Sequence, residues 1–198
     1  MAHPSAERAA LVPNAFGATP LHLAAALPNV CVDISIAVGT TESAITQDKS
    51  NRTPLHVAAL NKNATTGLIE CIVDLNPSCC SIVDDRGNVP LHVALQSGAK
   101  EHIVEALLKA CSACIEKVNE DQNTAIHEAV KANAPIDVMK MLVDQCKEAL
   151  NVSNKDEYTP LHLALQYQVS KEIVELLIEV SNINCFLRIA FSSFNHSR

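Results

Sequence analysis

A seven-residue phrase that returns at a nearly fixed interval limits what this chain can fold into more than any other feature. Thr19-Pro20-Leu21-His22-Leu23-Ala24-Ala25 comes back as Thr53-Pro54-Leu55-His56-Val57-Ala58-Ala59 and as Val89-Pro90-Leu91-His92-Val93-Ala94-Leu95. Two further copies are Thr124-Ala125-Ile126-His127-Glu128-Ala129-Val130 and Thr159-Pro160-Leu161-His162-Leu163-Ala164-Leu165. Their first residues lie 34, 36, 35 and 35 positions apart. A fixed period of this size means that one supersecondary unit is repeated. Such units bury their apolar faces on one another rather than alone.

Each copy reads as the start of a helix. Threonine offers an oxygen to an orphan backbone N–H. Proline follows at the first helical position, where its missing N–H costs nothing. The leucine and alanines after it predict a short helix with a small-residue face that a neighbour can approach closely. The second half of each unit predicts a stronger amphipathic helix, with apolar residues at i, i+3 and i+4. Examples are Leu68-Ile69-Glu70-Cys71-Ile72-Val73, Ile103-Val104-Glu105-Ala106-Leu107-Leu108, Val138-Met139-Lys140-Met141-Leu142-Val143 and Ile173-Val174-Glu175-Leu176-Leu177-Ile178. Polar turns then precede the next copy: Asp48-Lys49-Ser50-Asn51-Arg52, Asp84-Asp85-Arg86-Gly87-Asn88 and Asn119-Glu120-Asp121-Gln122-Asn123.

A helix–turn–helix unit of about 35 residues that opens on Thr-Pro-Leu-His-x-Ala resembles the ankyrin repeat. The resemblance implies an all-α, ankyrin-type helix–turn–helix solenoid of about five repeats over residues 14–182, with units starting near 14, 48, 84, 119 and 154. Residues 1–13 are then a leader, and 183–198 an apolar tail or truncated repeat. The third copy has Val89 for threonine and loses the cap hydroxyl. The fourth has Ala125 for proline and Glu128 for an apolar residue. The outer helix of the first unit, Val32 to Ala44, contains Gly39, Thr40 and Thr41 and is expected to be short. The extra length of each unit is expected after the second helix, in Asn76-Pro77-Ser78-Cys79-Cys80 and Cys111-Ser112-Ala113-Cys114. The family's turn glycine survives at Gly17 and Gly87. Asn51 takes a left-handed backbone in that place more easily than most residues, an ease that cannot be assumed of Gln122 and Glu157.

Composition narrows the function. The net charge is −7 and aromatics are 3% with no Trp, which disfavours phosphate neutralisation and base stacking. Apolar residues are 48% and charged residues 19%, so a core is affordable and disorder is not expected. Met1 to Asn14 has no apolar stretch after a positive start, and no run of about 18 apolar residues occurs, so neither a secretory signal nor a membrane span is expected. The chain is placed inside the cell, in the cytoplasm, as a monomer with its cysteines reduced.

The five repeat histidines fall one per layer, about 10 Å apart if the layers pack like helices, whereas zinc needs its ligands about 2 Å from one ion. They are read as structural, each bonded to neighbouring backbone as the resemblance implies. His127-Glu128 fails as a zincin start because Lys131 stands where a second histidine belongs. Cys111-Ser112-Ala113-Cys114 has no second pair to complete a zinc site. Cys79, Cys114 and Ala149 share one repeat phase, ten residues before the next Thr or Val. Cysteine that alternates with alanine is read as a small buried hydrophobe, and a redox role for Cys111 and Cys114 stays open. No nucleophile elbow, P-loop or dinucleotide fingerprint occurs, so no catalysis, cofactor or metal is expected.

In ankyrin proteins contacts come from turn tips and first helices. Carried over, the second unit offers Lys49, Ser50, Arg52, Leu60 and Asn61, and the third Asp85, Arg86, Asn88, Gln96 and Ser97. The fourth offers Glu120, Asp121, Asn123, Lys131 and Ala132, and the fifth Lys155, Asp156, Tyr158, Gln166 and Tyr167. Both tyrosines of the chain fall in this set. The expectation is a non-catalytic module that binds a protein partner, anchored on Tyr158 and Tyr167, with the charges of the third and fourth units setting specificity. Three of the four phenylalanines, Phe186, Phe191 and Phe194, lie in the last thirteen residues, and no Asp or Glu follows Glu179. A solenoid wants a polar end. That tail reads as the stub of a sixth unit or as a non-native extension, and the alternative is an ankyrin segment of a larger channel, kinase or ubiquitin-ligase subunit.

Overall fold

The computed structural model describes residues 9–28 and 37–181. The first eight residues of the leader, the start of the weak outer helix at Val32 and the tail at 183–198 lie outside the described residues. Within them the chain is helical, with no strand. In chain order come α1 (Pro20–Ala26), α2 (Pro54–Leu60), α3 (Thr66–Leu75), α4 (Pro90–Ser97), α5 (Glu101–Ala110), α6 (Ala125–Lys131), α7 (Ile136–Gln145), α8 (Pro160–Gln166) and α9 (Lys171–Val180). Short 3-10 helices at Pro77–Ser81, Ser112–Glu116 and Glu148–Asn151 follow α3, α5 and α7. They take up the residues by which each unit is longer than a bare helix pair.

The helices form two layers. The short helices α1, α2, α4, α6 and α8 pack on one another in succession, and the longer α3, α5, α7 and α9 stack behind them. Small side chains permit the first stack: Ala24, Ala58, Ala94, Ala129 and Ala164 occupy one phase, and all are buried. Next to them Leu21, Leu55, Leu91 and Ile126 fill the core, each such burial contributing roughly 1.5–3 kcal/mol. The longer helices add Leu68, Ile69 and Ile72, then Ile103, Val104 and Leu107, then Val138, Met139 and Leu142, then Ile173, Val174 and Leu177. One continuous apolar cluster runs from Leu21 to Ile178, and this is the helical ankyrin-type solenoid expected of the repeat.

The helix starts hold one correction. The threonine oxygen was expected to cap a backbone N–H. Instead the imidazole three residues on takes its place: the hydroxyls of Thr19, Thr53, Thr124 and Thr159 donate to Nδ1 of His22, His56, His127 and His162 at 2.8–2.9 Å. The threonine N–H groups also donate to Nδ1, at 3.1–3.2 Å. Among these four threonines the hydroxyl oxygen also accepts from a backbone N–H at Thr159, from His162 N at 3.5 Å. The far ring nitrogens then link layers. Nε2 of His22, His56 and His127 donates to the carbonyls of Arg52, Asn88 and Tyr158 at 2.9–3.0 Å. A carbonyl can only accept, so these rings carry their proton on Nε2.

His92 differs. Val89 supplies no hydroxyl, its N–H reaches Nδ1 at 3.4 Å, and the buried Nε2 finds no hydrogen-bond partner. Burial pushes its pKa down to about 4, against weaker opposing effects from Glu128 and the Asn123 backbone. Burial is also the largest effect lowering His22, His56 and His127.

The cysteines give a second correction. All were expected as thiols, but Cys111 and Cys114 are joined by a disulfide. The end of α5 and the following 3-10 helix bring their Cα atoms to 5.5 Å, within bridging range. Cys71, Cys79, Cys80 and Cys146 remain free and buried.

Candidate interaction surface

The turns between units are built by one side chain each. Asn14, Asp48, Asp84, Asn119 and Asn154 stand five residues before each Thr or Val, and in every turn Oδ1 accepts two backbone N–H groups. Asp84 accepts from Arg86 at 2.9 Å and Asn88 at 2.8 Å; Asn119 accepts from Asp121 at 3.1 Å and Asn123 at 3.0 Å. Asp48 and Asn154 do the same for Ser50 and Arg52 and for Asp156 and Tyr158. This is the side-chain mimic of a backbone turn that Asn and Asp favour.

The turn forces a left-handed residue two positions before each Thr or Val. Gly17 and Gly87 serve there with φ of 79° and 71°. Gln122 and Glu157, of which this could not be assumed, adopt it too, at 57° and 64°, alongside Asn51 at 57°. Strain of this kind, about 1–3 kcal/mol, persists only when the surroundings fix it. The bonds between neighbouring tips do so. Lys49 N donates to the Phe16 carbonyl at 3.1 Å, Asp85 N to Ser50, Glu120 N to Arg86 at 3.0 Å, and Lys155 N to Asp121 at 2.9 Å. The tips thus form one row linked by main chain.

Behind the tips, three hollows open against the ends of α2, α4, α6 and α8. The first, about 230 Å³, is lined by Arg52, Leu60, Asp85, Arg86, Asn88 and Gln96 among others. The second, about 520 Å³, adds Asn119, Glu120, Asp121, Glu128, Lys131 and Ala132 to Arg86, Asn88 and Gln96. The third, about 200 Å³, is lined by Asp121, Asn123, Lys131, Asn154, Asp156, Tyr158, Leu163, Gln166 and Tyr167. Adjacent hollows share residues, so they run as one groove. Of the residues expected from sequence, Lys49 and Lys155 are exposed on tips outside these hollows.

Several expected contact residues are occupied internally: Asn61 Nδ2 donates to the carbonyls of Ala25 and Leu27 at 3.1 and 2.9 Å, and Ser97 Oγ to the Ala59 carbonyl at 3.1 Å. Asn88 and Asn123 are buried and belong to a polar chain beneath the groove. Asn119 Nδ2 donates to Asn88 Oδ1 at 3.0 Å and to Glu128 Oε1 at 3.0 Å. Asn123 Nδ2 donates to the same carboxylate oxygen at 2.8 Å, and Asn154 Nδ2 to Asn123 Oδ1 at 2.9 Å. Gln96 adds a bond to Asn88 Oδ1 at 3.1 Å. Arg52 is half committed: its guanidinium holds Asp48 Oδ2 at 2.7 and 3.0 Å. Burial pushes the Asp48 carboxyl up, but Arg52 and the backbone N–H groups outweigh it and hold the pKa below the usual carboxylate value.

Sequence reasoning overlooked Asn119 and Asn154 and saw Glu128 only as a departure. The signal was present. An Asn or Asp recurs five residues before every Thr or Val, and the one acidic residue within a repeat phrase lies nine residues after Asn119. Among the described residues no cluster of three or more His, Cys, Asp or Glu could hold a metal ion, and no helix is long and apolar enough to cross a membrane.

The family model for ankyrin repeats matches the chain three times, over residues 21–117, 64–154 and 91–189. No curated protein matches it.

Proposed function

This chain belongs to the ankyrin-repeat family, and on that premise we propose that it is a non-catalytic binding module of five repeats. A protein partner lies along the row of tips and the groove behind it. Ankyrin repeats are generally protein-interaction modules. The observation that carries the reading is the continuity of the groove: its first and second parts share Arg86, Asn88 and Gln96, and its second and third share Asp121 and Lys131.

The tips are held before any partner arrives. Their main chains bond to one another, and the polar chain from Asn88 to Asn154 fixes the floor. A preformed surface loses little entropy on binding, which leaves more of the contact energy as affinity. Exposed Arg86, Glu120, Asp121, Lys155, Asp156, Tyr158 and Tyr167 supply the contacts, and Lys49 extends them toward the N-terminal tips. The same proposal has the protein act as a cytoplasmic monomer.

The test is affinity capture from the source cell's lysate, followed by binding measurements with the purified captured protein. Arg86→Glu combined with Glu120→Lys should weaken binding by tenfold or more, since reversed charges in a contact groove oppose the partner's own. Lys140→Glu on the far face, in α7, should leave it unchanged. Equal affinity for all three proteins refutes the surface.

A further inference from the structure

The third hollow differs in chemistry from the other two, and we infer that it takes a cationic side chain, lysine or arginine, from the bound partner. The inference rests on the interaction reading above and names what the last part of the groove selects. Tyr158 and Tyr167, the chain's only tyrosines, both line this hollow, at 39% and 52% exposure. Two carboxylates join them, Asp121 and Asp156, each from a different tip. Aromatic faces attract cations through their negative quadrupole, and carboxylates add Coulomb attraction. An anionic or purely apolar occupant would meet two exposed carboxylates with nothing to neutralise them.

One cation also lines the hollow and must be accounted for. Lys131 is half-buried, and its Nζ lies 3.5 Å from Oε1 of Glu128, whose side chain is 3% exposed. Its charge is therefore matched by a carboxylate behind it, and the two aspartates are left for an incoming charge. The size agrees as well. About 200 Å³ admits the end of one long side chain and little more. A lysine or arginine stem can lie along the tyrosine rings while its head meets the aspartates. The rigid rings offer that contact at low entropic cost.

The chain has two tyrosines and no tryptophan, so tyrosine ring NMR signals report on this hollow alone. The experiment titrates the full chain with hexalysine, hexaarginine and hexa-acetyl-lysine, followed by NMR and by calorimetry. Hexalysine or hexaarginine should shift both sets of ring signals saturably, and the uncharged acetylated peptide should not. By calorimetry, Tyr158→Leu/Tyr167→Leu and Asp121→Asn/Asp156→Asn should each weaken the oligocation about tenfold. Tyr158→Phe/Tyr167→Phe keeps the rings and should retain binding, which separates loss of the site from loss of the fold. Unmoved ring signals, or equal affinity in every variant, would mean that the oligocation is held elsewhere on this acidic chain and would overturn the inference. If that happens while Arg86→Glu/Glu120→Lys still weakens the captured partner, the interaction reading stands and only the cation site falls.

Discussion

The Nδ2 atom of Asn123 lies 2.8 Å from Oε1 of Glu128, and both residues are almost fully buried. That oxygen also accepts from Asn119 at 3.0 Å and faces Lys131 at 3.5 Å. A carboxylate on the inner helix α6 is thus the junction of a chain that ties together the tips at Asn88, Asn119, Asn123 and Asn154. The apolar residue that the repeat phrase prefers at this place could accept none of these bonds.

Removing the junction should be costly. Glu128→Ala takes the acceptor from the buried Asn123 amide and the half-buried Lys131 ammonium, and one of two acceptors from Asn119, and the expected loss is about 3 kcal/mol. Glu128→Gln keeps an oxygen in the same place but gives up the charge, and should lose roughly half as much. Urea unfolding midpoints for the three proteins decide it. A Glu128→Ala protein as stable as wild type would show that the chain does not hold the tips.

The tips make a second, opposite pair of expectations. Gln122 and Glu157 hold left-handed backbones that a side chain disfavours, so Gln122→Gly and Glu157→Gly should each raise stability by about 0.5–1 kcal/mol, the relieved strain exceeding the added unfolded-state entropy. Gly87→Ala should do the reverse and cost about 1–3 kcal/mol. Its new Cβ would stand 2.9 Å from Glu120 N, the donor that bonds the Arg86 carbonyl. Gly98 has a similar φ of 68° but open space around it, so Gly98→Ala should be milder, at about 1 kcal/mol. Thermal unfolding of the four variants orders them.

Much of this fold can be read from the chain because the determinants are local and repeated. Proline at Pro20, Pro54, Pro90 and Pro160 marks helix starts whatever the tertiary context. The alternation of apolar and charged residues at Ile103 to Leu108 marks a half-buried helix. The turn tips were legible as positions, and Arg86, Glu120, Asp156, Tyr158 and Tyr167 do face the groove. Asn88 and Asn123 are buried, which their place in a turn does not announce, because a polar residue there is ordinarily solvated. Only the approach of the next tip reveals that Asn119 and Asn154 claim them. The left-handed Gln122 and Glu157 were hidden for the same reason, since bonds from the preceding tips override an unfavourable propensity. The Cys111–Cys114 bond depends on how sharply α5 turns into the following 3-10 helix.

Acid should loosen the stack well above the range where carboxylates titrate. Burial lowers the folded pKa values of His22, His56, His92 and His127, with His92 at about 4. A histidine with a depressed folded pKa stabilises fully above its unfolded value of about 6.5. Below that, the unfolded chain binds the proton first, and stability falls with pH until the folded pKa is passed. Each such group contributes a slope of up to about 1.4 kcal/mol per pH unit, and His92 alone gives about 3 kcal/mol between pH 6.5 and 4. Asp48 acts only lower, because its depressed pKa stabilises above the unfolded carboxylate value and is lost below it. Urea midpoints from pH 7 to 4.5 should therefore decline steadily. In His92→Gln the decline should be shallower by up to about 1.4 kcal/mol per unit. A flat profile would mean that these rings protonate in the folded state without cost.

The thiols should sort by burial and by the groups they touch. Cys79 is fully buried, and its Sγ points at the Ile72 carbonyl from 3.9 Å. The Cys80 side chain and burial together push its thiol pKa up. Burial and Asp74 raise Cys71 in the same way. The thiolate is the nucleophile, so after mild reduction at pH 8 iodoacetamide should modify Cys111, which is half-exposed, long before Cys71 and Cys79. Peptide mass spectrometry follows each site, and in urea the difference should vanish. Because Ala149 fills the phase of Cys79 two units on and is equally buried, Cys79→Ala should cost only about 1 kcal/mol, the transfer term of one small group. Cys79→Asp places a carboxylate where no partner waits, and the chain should fail to fold around it. Rapid labelling of Cys79 in the native protein would show that the core between the second and third units opens far more often than its packing implies.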